Sequence, residues 1–332
     1  MKQSALVRKV AYVAASALLF SFTGIAAIAQ TVIATIPAQE GSLGLPFTIA
    51  VNPFTRLVYI AGNGVEVVDQ KTNRPITTID VGKDQLSGIA INPVTRKLYV
   101  TDYNTGLYLI DLTSNAIVGH FSLDVALSVA YSPLTNRVYT LDNYGHVWVN
   151  DGTTGALIKE IITPTPSGSS QAATLTINPL TNLIYIPLET APGQVWVVNA
   201  ITNEVKTVPL QGSYSYYAGV DPLRNIIYIS DQEGQIDVLN GATNSDRAFI
   251  TGIPLQPQAL SVDPITHKVY LSNADSTVEV IDGTTNTLTS SVIPVGTNPD
   301  FSTIDLVHGL LYVGNTAEFQ PGTQSISVIK LH

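Results

Sequence analysis

The chain has 332 residues, of which 45% are hydrophobic and only 12% are charged, with 24 Gly and 19 Pro. This composition excludes a disordered chain, which would be rich in charge and poor in apolar residues. It also disfavours long surface helices, which carry many charged residues on their wet face. Cysteine is absent, which excludes disulfides, thiolate metal sites and cysteine nucleophiles.

The N-terminal segment differs from the rest of the chain. Three basic residues precede an uncharged stretch over residues 11–29, which ends in the Ala-Ile-Ala pattern of a cleavage site. This arrangement predicts a secretory signal peptide over residues 1–29, cleaved before Gln30; an uncleaved membrane anchor is the alternative. We therefore expect the mature chain, residues 30–332, to be secreted or periplasmic and to contain no membrane span.

The mature chain is acidic. Loss of the leader leaves 13 of the 16 Lys and Arg against 25 Asp and Glu, a net charge of −12. Such a chain repels nucleic acid and anionic membranes, and the sequence contains no run of basic residues. We expect no nucleic-acid partner.

A repeated motif indicates the architecture. A turn of the form Asn-Pro-x-Thr, with Asp or Ser as variants of Asn, recurs at spacings of 40 to 46 residues. Five copies are complete, another has Arg224 in place of Thr, and a degenerate seventh copy has Leu306 in place of Pro. A tyrosine follows each Pro position by six residues. The seven turns begin at Asn52, Asn92, Ser132, Asn178, Asp221, Asp263 and Asp305. Repeats of this length in solenoids and propellers are single supersecondary units.

Each repeat is predicted to form four short strands. An apolar inner strand ends at the Asn-Pro turn, and the second strand carries the tyrosine. The third ends at Asp or Asn, with Thr or Ser three residues later, which is typical of a hairpin turn capped by a side chain. The fourth strand is the outer one. Seven such units predict an all-β, seven-bladed β-propeller of four-stranded antiparallel blades in one domain over residues 30–332.

The two ends of the mature chain are predicted to close the ring. The last repeat stops after its third strand, at residues 326–331, whereas residues 31–37 form a spare strand of the outer type. Pairing the two would complete the last blade and leave no exposed strand edge at the join.

The repeat resembles a known family. The pattern Asn-Pro-x-Thr-x-x-Val-Tyr, followed by Val-x-Val-Ile-Asp-x-x-Thr-Asn, resembles the YVTN-repeat β-propellers, and the closest copies of the namesake tetrad are Tyr99-Val100-Thr101-Asp102 and Tyr270-Leu271-Ser272-Asn273. The resemblance implies an exported or surface protein with a binding role. Related seven-bladed propellers include sugar lactonases and lyases, so the fold leaves an enzymatic role open.

One face of the predicted disc carries acidic candidate residues. Asp102, Asp142 and Asp231 each stand three residues after the tyrosine of their repeat. They are interpreted either as oxygen ligands for a calcium ion at the channel mouth or as caps of tight hairpins.

Aromatic residues occur on the same predicted face. Tyr216, Tyr217 and Phe301 lie in connections between blades, and Tyr103 and Tyr144 extend two hairpins. Such residues stack on a sugar, a peptide or a flat ligand, or they plug the channel.

Two functional hypotheses follow. The first is a non-catalytic, monomeric module that binds a small ligand or a protein through the loops at one channel mouth, with no resident cofactor. The second is a metal-dependent, lactonase-like hydrolase or lyase that uses Asp102, Asp142 and Asp231. The sequence shows no arrangement typical of a Ser-His-Asp triad.

Overall fold

The chain folds as seven four-stranded antiparallel sheets. The computed structural model describes residues 30–37, 48–62, 64–81, 85–164, 172, 174–253, 257–316 and 324–332. Within these residues there are 28 strands and no helix, so this part of the chain contains nothing long and apolar enough to cross a membrane as a helix. The predicted all-β, seven-bladed propeller is confirmed. The predicted leader, residues 1–29, lies outside the described residues.

The strands follow the predicted order in every blade. Blade 1 contains β2 (Thr48–Asn52), β3 (Leu57–Gly62), β4 (Gly64–Asp69) and β5 (Arg74–Ile79). Blade 2 contains β6 (Leu86–Asn92), β7 (Lys97–Asp102), β8 (Gly106–Asp111) and β9 (Ala116–Ser122). Blade 3 contains β10 (Ala126–Ser132), β11 (Arg137–Asp142), β12 (Val147–Asp151) and β13 (Leu157–Ile161). Blade 4 contains β14 (Thr176–Asn178), β15 (Leu183–Leu188), β16 (Gln194–Asn199) and β17 (Val205–Pro209). Blade 5 contains β18 (Ser215–Asp221), β19 (Ile226–Asp231), β20 (Ile236–Asn240) and β21 (Ser245–Ile250). Blade 6 contains β22 (Pro257–Asp263), β23 (Lys268–Asn273), β24 (Thr277–Asp282) and β25 (Thr287–Pro294). Blade 7 contains β26 (Pro299–Asp305), β27 (Leu310–Asn315), β28 (Ser325–Lys330) and β1 (Thr31–Pro37).

The N-terminal strand closes the ring. β1 pairs antiparallel with β28, from Thr31 opposite Lys330 to Ile36 opposite Ile326. The predicted closure is confirmed, and blade 7 combines the two ends of the described chain.

Two kinds of turn form one face of the disc, which we call the turn face. It contains the turns between the first and second strands and those between the third and fourth. Asn52 Oδ1 accepts hydrogen bonds from the N–H groups of Phe54 and Thr55, and Asp69 Oδ1 accepts from those of Lys71 and Thr72. The predicted side-chain caps are therefore present, and they recur around the ring because their chemistry is local.

In several blades the repeated tyrosine links one blade to the next. Tyr139 Oη donates to Ala200 O in blade 4 at 3.2 Å, and Tyr228 Oη donates to Gly283 O in blade 6 at 3.4 Å. These side chains are fully buried, and burial raises the pKa of Tyr228 to about 12. A buried tyrosine hydroxyl requires a hydrogen-bond partner, so this residue type serves ring assembly.

The hydrophobic core is divided between the blade interfaces. One cluster packs Tyr139 and Leu141 of blade 3 against Trp196 of blade 4. Across the closure, Ile36 and Val328 of blade 7 pack against Val58 of blade 1 in the same way. Because the core is shared between neighbours, each blade depends on the ring for its burial of apolar surface.

A channel follows the axis of the ring. Two cavities lie along it, of about 280 and 480 Å³, and Thr176, Ala218 and Leu260 line both. The channel is narrow beside Gly219, where a Cβ atom would lie 2.0 Å from Leu260 Cδ2. Small residues two positions before each turn fit this crowding.

Candidate functional site

The opposite face of the disc, which we call the loop face, carries the upper channel mouth. It contains the connections between second and third strands and those between one blade and the next. The 280 Å³ cavity opens here, and all seven inner strands or the residues next to them contribute to its wall. Its polar and aromatic lining consists of Thr48, Ser87, Ser128, Thr174, Thr176, Tyr216, Tyr217, Phe301 and Ser302. We call this space the mouth cavity.

β-bulges shape the wall of the mouth cavity. In blade 5 the register passes from Ser215 opposite Asp231 to Tyr217 opposite Ser230, so Tyr216 has no partner on β19. In blade 7 the register of β26 skips Asp300 in the same way. A bulge re-aims side chains and is common beside functional sites. Here it allows the consecutive residues Tyr216 and Tyr217 both to line the cavity.

The segment before Tyr216 is fixed by buried carboxylates. Asp237 accepts hydrogen bonds from the N–H groups of Gln211 and Gly212 at 2.9 and 3.1 Å. Gly212 passes so close to Asp231 that a Cβ atom would lie 2.3 Å from Asp231 Oδ2. Burial raises the pKa of both carboxyls. The loop that leads into the tyrosine pair is thus anchored to blade 5.

The tyrosine pair spans the mouth between two carboxylates. The rings of Tyr216 and Tyr217 lie 5.3 Å apart between centroids, at an angle of 40°. Tyr217 Oη donates to Asp300 Oδ1 of blade 7 at 3.4 Å, and the Tyr216 side chain interacts with the Glu189 carboxyl of blade 4. Thr174 Oγ1 donates to the Tyr216 carbonyl at 2.5 Å. Blades 4, 5 and 7 therefore meet at this pair.

Burial perturbs the ionisation of the whole group. It raises the pKa of Asp300 from 3.8 to about 6, and the hydrogen bond from Tyr217 offsets only part of this effect. Burial also raises the pKa of Glu189. The pKa of Tyr216 is raised by burial and by the charge of Glu189, and that of Tyr217 by burial and by the charge of Asp300. Clustered, perturbed ionisable groups in a cleft indicate a functional site.

The loop face is acidic around this mouth. Its connections and the adjoining strand ends carry Asp80, Asp102, Asp124, Asp142, Glu189, Asp231, Glu233, Asp275 and Asp300. In the described parts of the same connections there is no Lys or Arg, and Lys83 lies outside the described residues. A cleft lined by one sign of charge attracts ligands of the opposite sign.

The predicted hairpin carboxylates are bound to their own turns. Asp102 Oδ1 accepts from the N–H groups of Asn104 and Thr105, both at 2.9 Å. Asp142 uses one oxygen for its turn and the other for the indole N–H of Trp148 at 2.9 Å. These hydrogen bonds are the ones that hairpin caps make.

The third of these carboxylates follows the same pattern. Asp231 Oδ1 accepts from the N–H groups of Glu233 and Gln235, both at 2.9 Å. Asp102, Asp142 and Asp231 are each at most 2% exposed. Among the described side chains, no group of three or more His, Asp or Glu is placed to hold a metal ion. The calcium site stays a prediction.

The structure brings together only some of the predicted aromatic residues. Tyr216, Tyr217 and Phe301 share the mouth cavity. Tyr103 lies in the hairpin after β7, and Tyr144 lies 51% exposed in the hairpin after β11. Neither lines the mouth cavity, so these two are placed to contact only a partner large enough to reach beyond it.

Asp300 and Glu189 were not predicted as site residues. Asp300 stands five residues before the turn residue Asp305, at the position that the bulge of β26 leaves without a partner on β27. The equivalent positions hold Ser87, Leu127, Tyr216 and Gln258. The residues at this position of the repeat are otherwise uncharged, so the carboxylate of Asp300 is the signal by which the sequence could have identified it as a site residue. Glu189 lies in a hairpin longer than most of its counterparts and carries no such signal.

Fold and site together define a seven-bladed β-propeller with an acidic, tyrosine-lined channel mouth. No family model matches the sequence, and no curated protein matches it. Among solved structures, the fold is similar to that of a chain of the hydrazine synthase of Kuenenia stuttgartiensis, with a TM-score of 0.73 and 15% identity over 88% of this chain and 97% of that chain. A likeness at this identity shows the fold alone, because one fold hosts many functions.

Proposed function

We propose that this chain is an exported, monomeric β-propeller of the YVTN-repeat type that binds a small ligand or a protein segment at the mouth cavity, without catalysis. The single observation that carries the binding role is the convergence of Tyr216, Tyr217 and Phe301 on one cavity of about 280 Å³. Ligand sites are concave, rich in aromatic side chains and equipped with few polar groups.

The arrangement favours a site over a structural plug. A plug stabilises a fold when its polar groups are satisfied, whereas here burial raises the pKa of both carboxyls that border the tyrosine pair. Burial of ionisable groups that the fold does not need is typical of functional sites. Export is supported by the leader pattern of residues 1–29, and an N-terminus at Gln30 in protein recovered outside the cytoplasm would support it directly.

Fragment binding measured by ligand-detected NMR tests the proposal. We expect a panel of small aromatic and polar fragments to contain binders whose affinity falls about tenfold or more in Tyr217→Ala, because an anchoring aromatic side chain dominates binding at such sites. Tyr144→Ala is the matched control, since Tyr144 is an exposed tyrosine of the same face outside the cavity. Tyr217→Phe, which keeps the ring, should retain most binding.

Two results would contradict the proposal. Fragments that bind equally to the wild type and to Tyr217→Ala would place recognition elsewhere on the molecule. Turnover of a lactone above the uncatalysed rate by the purified chain would contradict the absence of catalysis.

A further inference from the structure

Several hydroxyl groups at the mouth cavity have their protons engaged and offer lone pairs. Ser87 Oγ donates its proton to Ala126 O at 2.6 Å, and Thr174 Oγ1 donates its own to Tyr216 O at 2.5 Å. The hydroxyl of Tyr217 donates its proton to Asp300 Oδ1 at 3.4 Å. Each of these hydroxyl oxygens keeps a lone pair but has its proton in use. These groups can accept hydrogen bonds from a ligand that donates.

Two carboxylates without a cationic partner adjoin the lining of the cavity. Glu189 interacts with Tyr216, and Asp300 accepts a hydrogen bond from Tyr217 and directly precedes Phe301. In the described structure, Asp300 interacts with the ionisable side chains of Tyr217 and Tyr216, and Tyr216 in turn interacts with Glu189. Within these described residues, neither carboxyl interacts with a Lys, Arg or His. Removing a carboxylate from water is unfavourable unless a counter-charge replaces the lost hydration.

The aromatic rings suit a cation as well. Tyr216, Tyr217 and Phe301 border the same space as the serine and threonine hydroxyls. The faces of aromatic rings attract ammonium groups, and the attraction strengthens where water is excluded. The aromatic rings are less suited to a small metal ion, since calcium prefers six to eight oxygen ligands.

We propose that the mouth cavity binds a small organic cation, an ammonium group on an apolar or aromatic stem. The ammonium group supplies the counter-charge that Asp300 lacks and donates to hydroxyl oxygens of the cavity wall, and the stem packs against Tyr216, Tyr217 and Phe301. The proposal rests on the binding function proposed above and names the ligand class of the same site.

Calorimetry with benzylamine tests the charge requirement, and benzyl alcohol is the uncharged ligand of the same shape. Near neutral pH we expect benzylamine to bind at least about tenfold more tightly than benzyl alcohol, as a charged hydrogen bond in a desolvated site predicts. Because Asp300 must be ionised to bind, affinity should fall about tenfold when the pH is lowered to about 5, one unit below its raised pKa.

Two variants locate the effect. Asp300→Asn should weaken benzylamine binding about tenfold or more at neutral pH and abolish its dependence on pH. Asp275→Asn removes an exposed carboxylate of the same face in the hairpin after β23, and it should change affinity less than about twofold, because charges exposed to solvent are screened. A large loss in both variants would indicate general attraction to an acidic face and would overturn the assignment to this cavity.

Other outcomes separate the ligand class from the binding function. Equal affinity for benzylamine and benzyl alcohol, with Tyr217→Ala still weakening both, would overturn the cation and leave the binding function standing. Calcium that displaces benzylamine in an Asp300-dependent manner would overturn the organic cation in favour of a metal ion. If neither probe nor any fragment binds in a Tyr217-dependent manner, both proposals fail.

Discussion

On the turn face, each first strand ends at a residue whose side chain caps the turn, whereas on the loop face the corresponding strand ends differ from blade to blade. Asp221 shows the first case: it accepts from the N–H groups of Leu223 and Arg224 and contacts His267 Nδ1 of the next blade at 2.7 Å. Asp300 shows the second, because the hydrogen bond that it accepts from Tyr217 is long, at 3.4 Å. Both are aspartates of inner strands, yet only Asp221 is held by several donors.

This difference separates residues that build the ring from residues that do not. The turn-face side chains satisfy the backbone and bridge neighbouring blades, so the fold explains why they are there. The loop-face group of Glu189, Tyr216, Tyr217 and Asp300 leaves buried carboxyls with raised pKa values, which opposes stability. Residues that a fold tolerates at a cost in stability are candidates for function.

Opening the ring gives the largest expected effect, because both faces depend on closure. Ile36 in β1 is 1% exposed and packs in the cluster that joins blades 7 and 1. Ile36→Asp should lower the free energy of unfolding by more than about 4 kcal/mol, since it buries an unpaired charge. Urea denaturation measures this loss.

The control lies in the same strand. Ile33 is 55% exposed at the bulge between Val32 and Ala34, so Ile33→Asp should change stability by less than about 0.5 kcal/mol. Similar stability of Ile36→Asp and the wild type would mean that β1 does not hold the ring closed.

A turn-face carboxylate gives the next effect. Asp221→Ala should destabilise the protein by about 2–4 kcal/mol, because two capped N–H groups and His267 lose their buried partner. Asp221→Asn keeps a capping oxygen and should lose less, about 1 kcal/mol, as the natural Asn52 and Asn92 at this position suggest. Equal losses of stability in the two variants, measured by denaturation, would mean that the capping oxygen of residue 221 does not contribute to stability.

The fold was predictable from the sequence because its determinants are local and repeated. The turn caps at Asn52 and its equivalents depend on residues two and three positions away, and the repeated tyrosine marks the second strand of every blade. Closure by residues 31–37 followed from counting strands, since the last repeat lacked one.

The candidate site was predictable only in part. Tyr216, Tyr217 and Phe301 stood out as aromatic residues in connections between blades, but their approach to Glu189 and Asp300 joins blades 4, 5 and 7, which no local pattern encodes. Asp102, Asp142 and Asp231 stood out by the same reasoning, and their hydrogen bonds are those of hairpin caps. Only the bulge register distinguishes Asp300 from them.

Asp300→Asn gives the smallest of the three effects and the opposite sign. The folded protein raises the pKa of this carboxyl from 3.8 to about 6, so the folded state binds a proton more tightly than the unfolded state does. The stability that goes with the protonated carboxyl is fully present below a pH of about 4 and is lost as the pH rises through about 6. Asp300→Asn removes this loss.

The variant should therefore be about 1–3 kcal/mol more stable than the wild type near neutral pH and equal to it below a pH of about 4. Urea denaturation at the two pH values measures the difference. A variant that is less stable at neutral pH, or whose difference does not depend on pH, would place Asp300 with the carboxylates that build the ring. A gain in stability together with a loss of benzylamine affinity in the same variant would show that the loop face keeps Asp300 for its ligand, since the fold alone is better served by an amide.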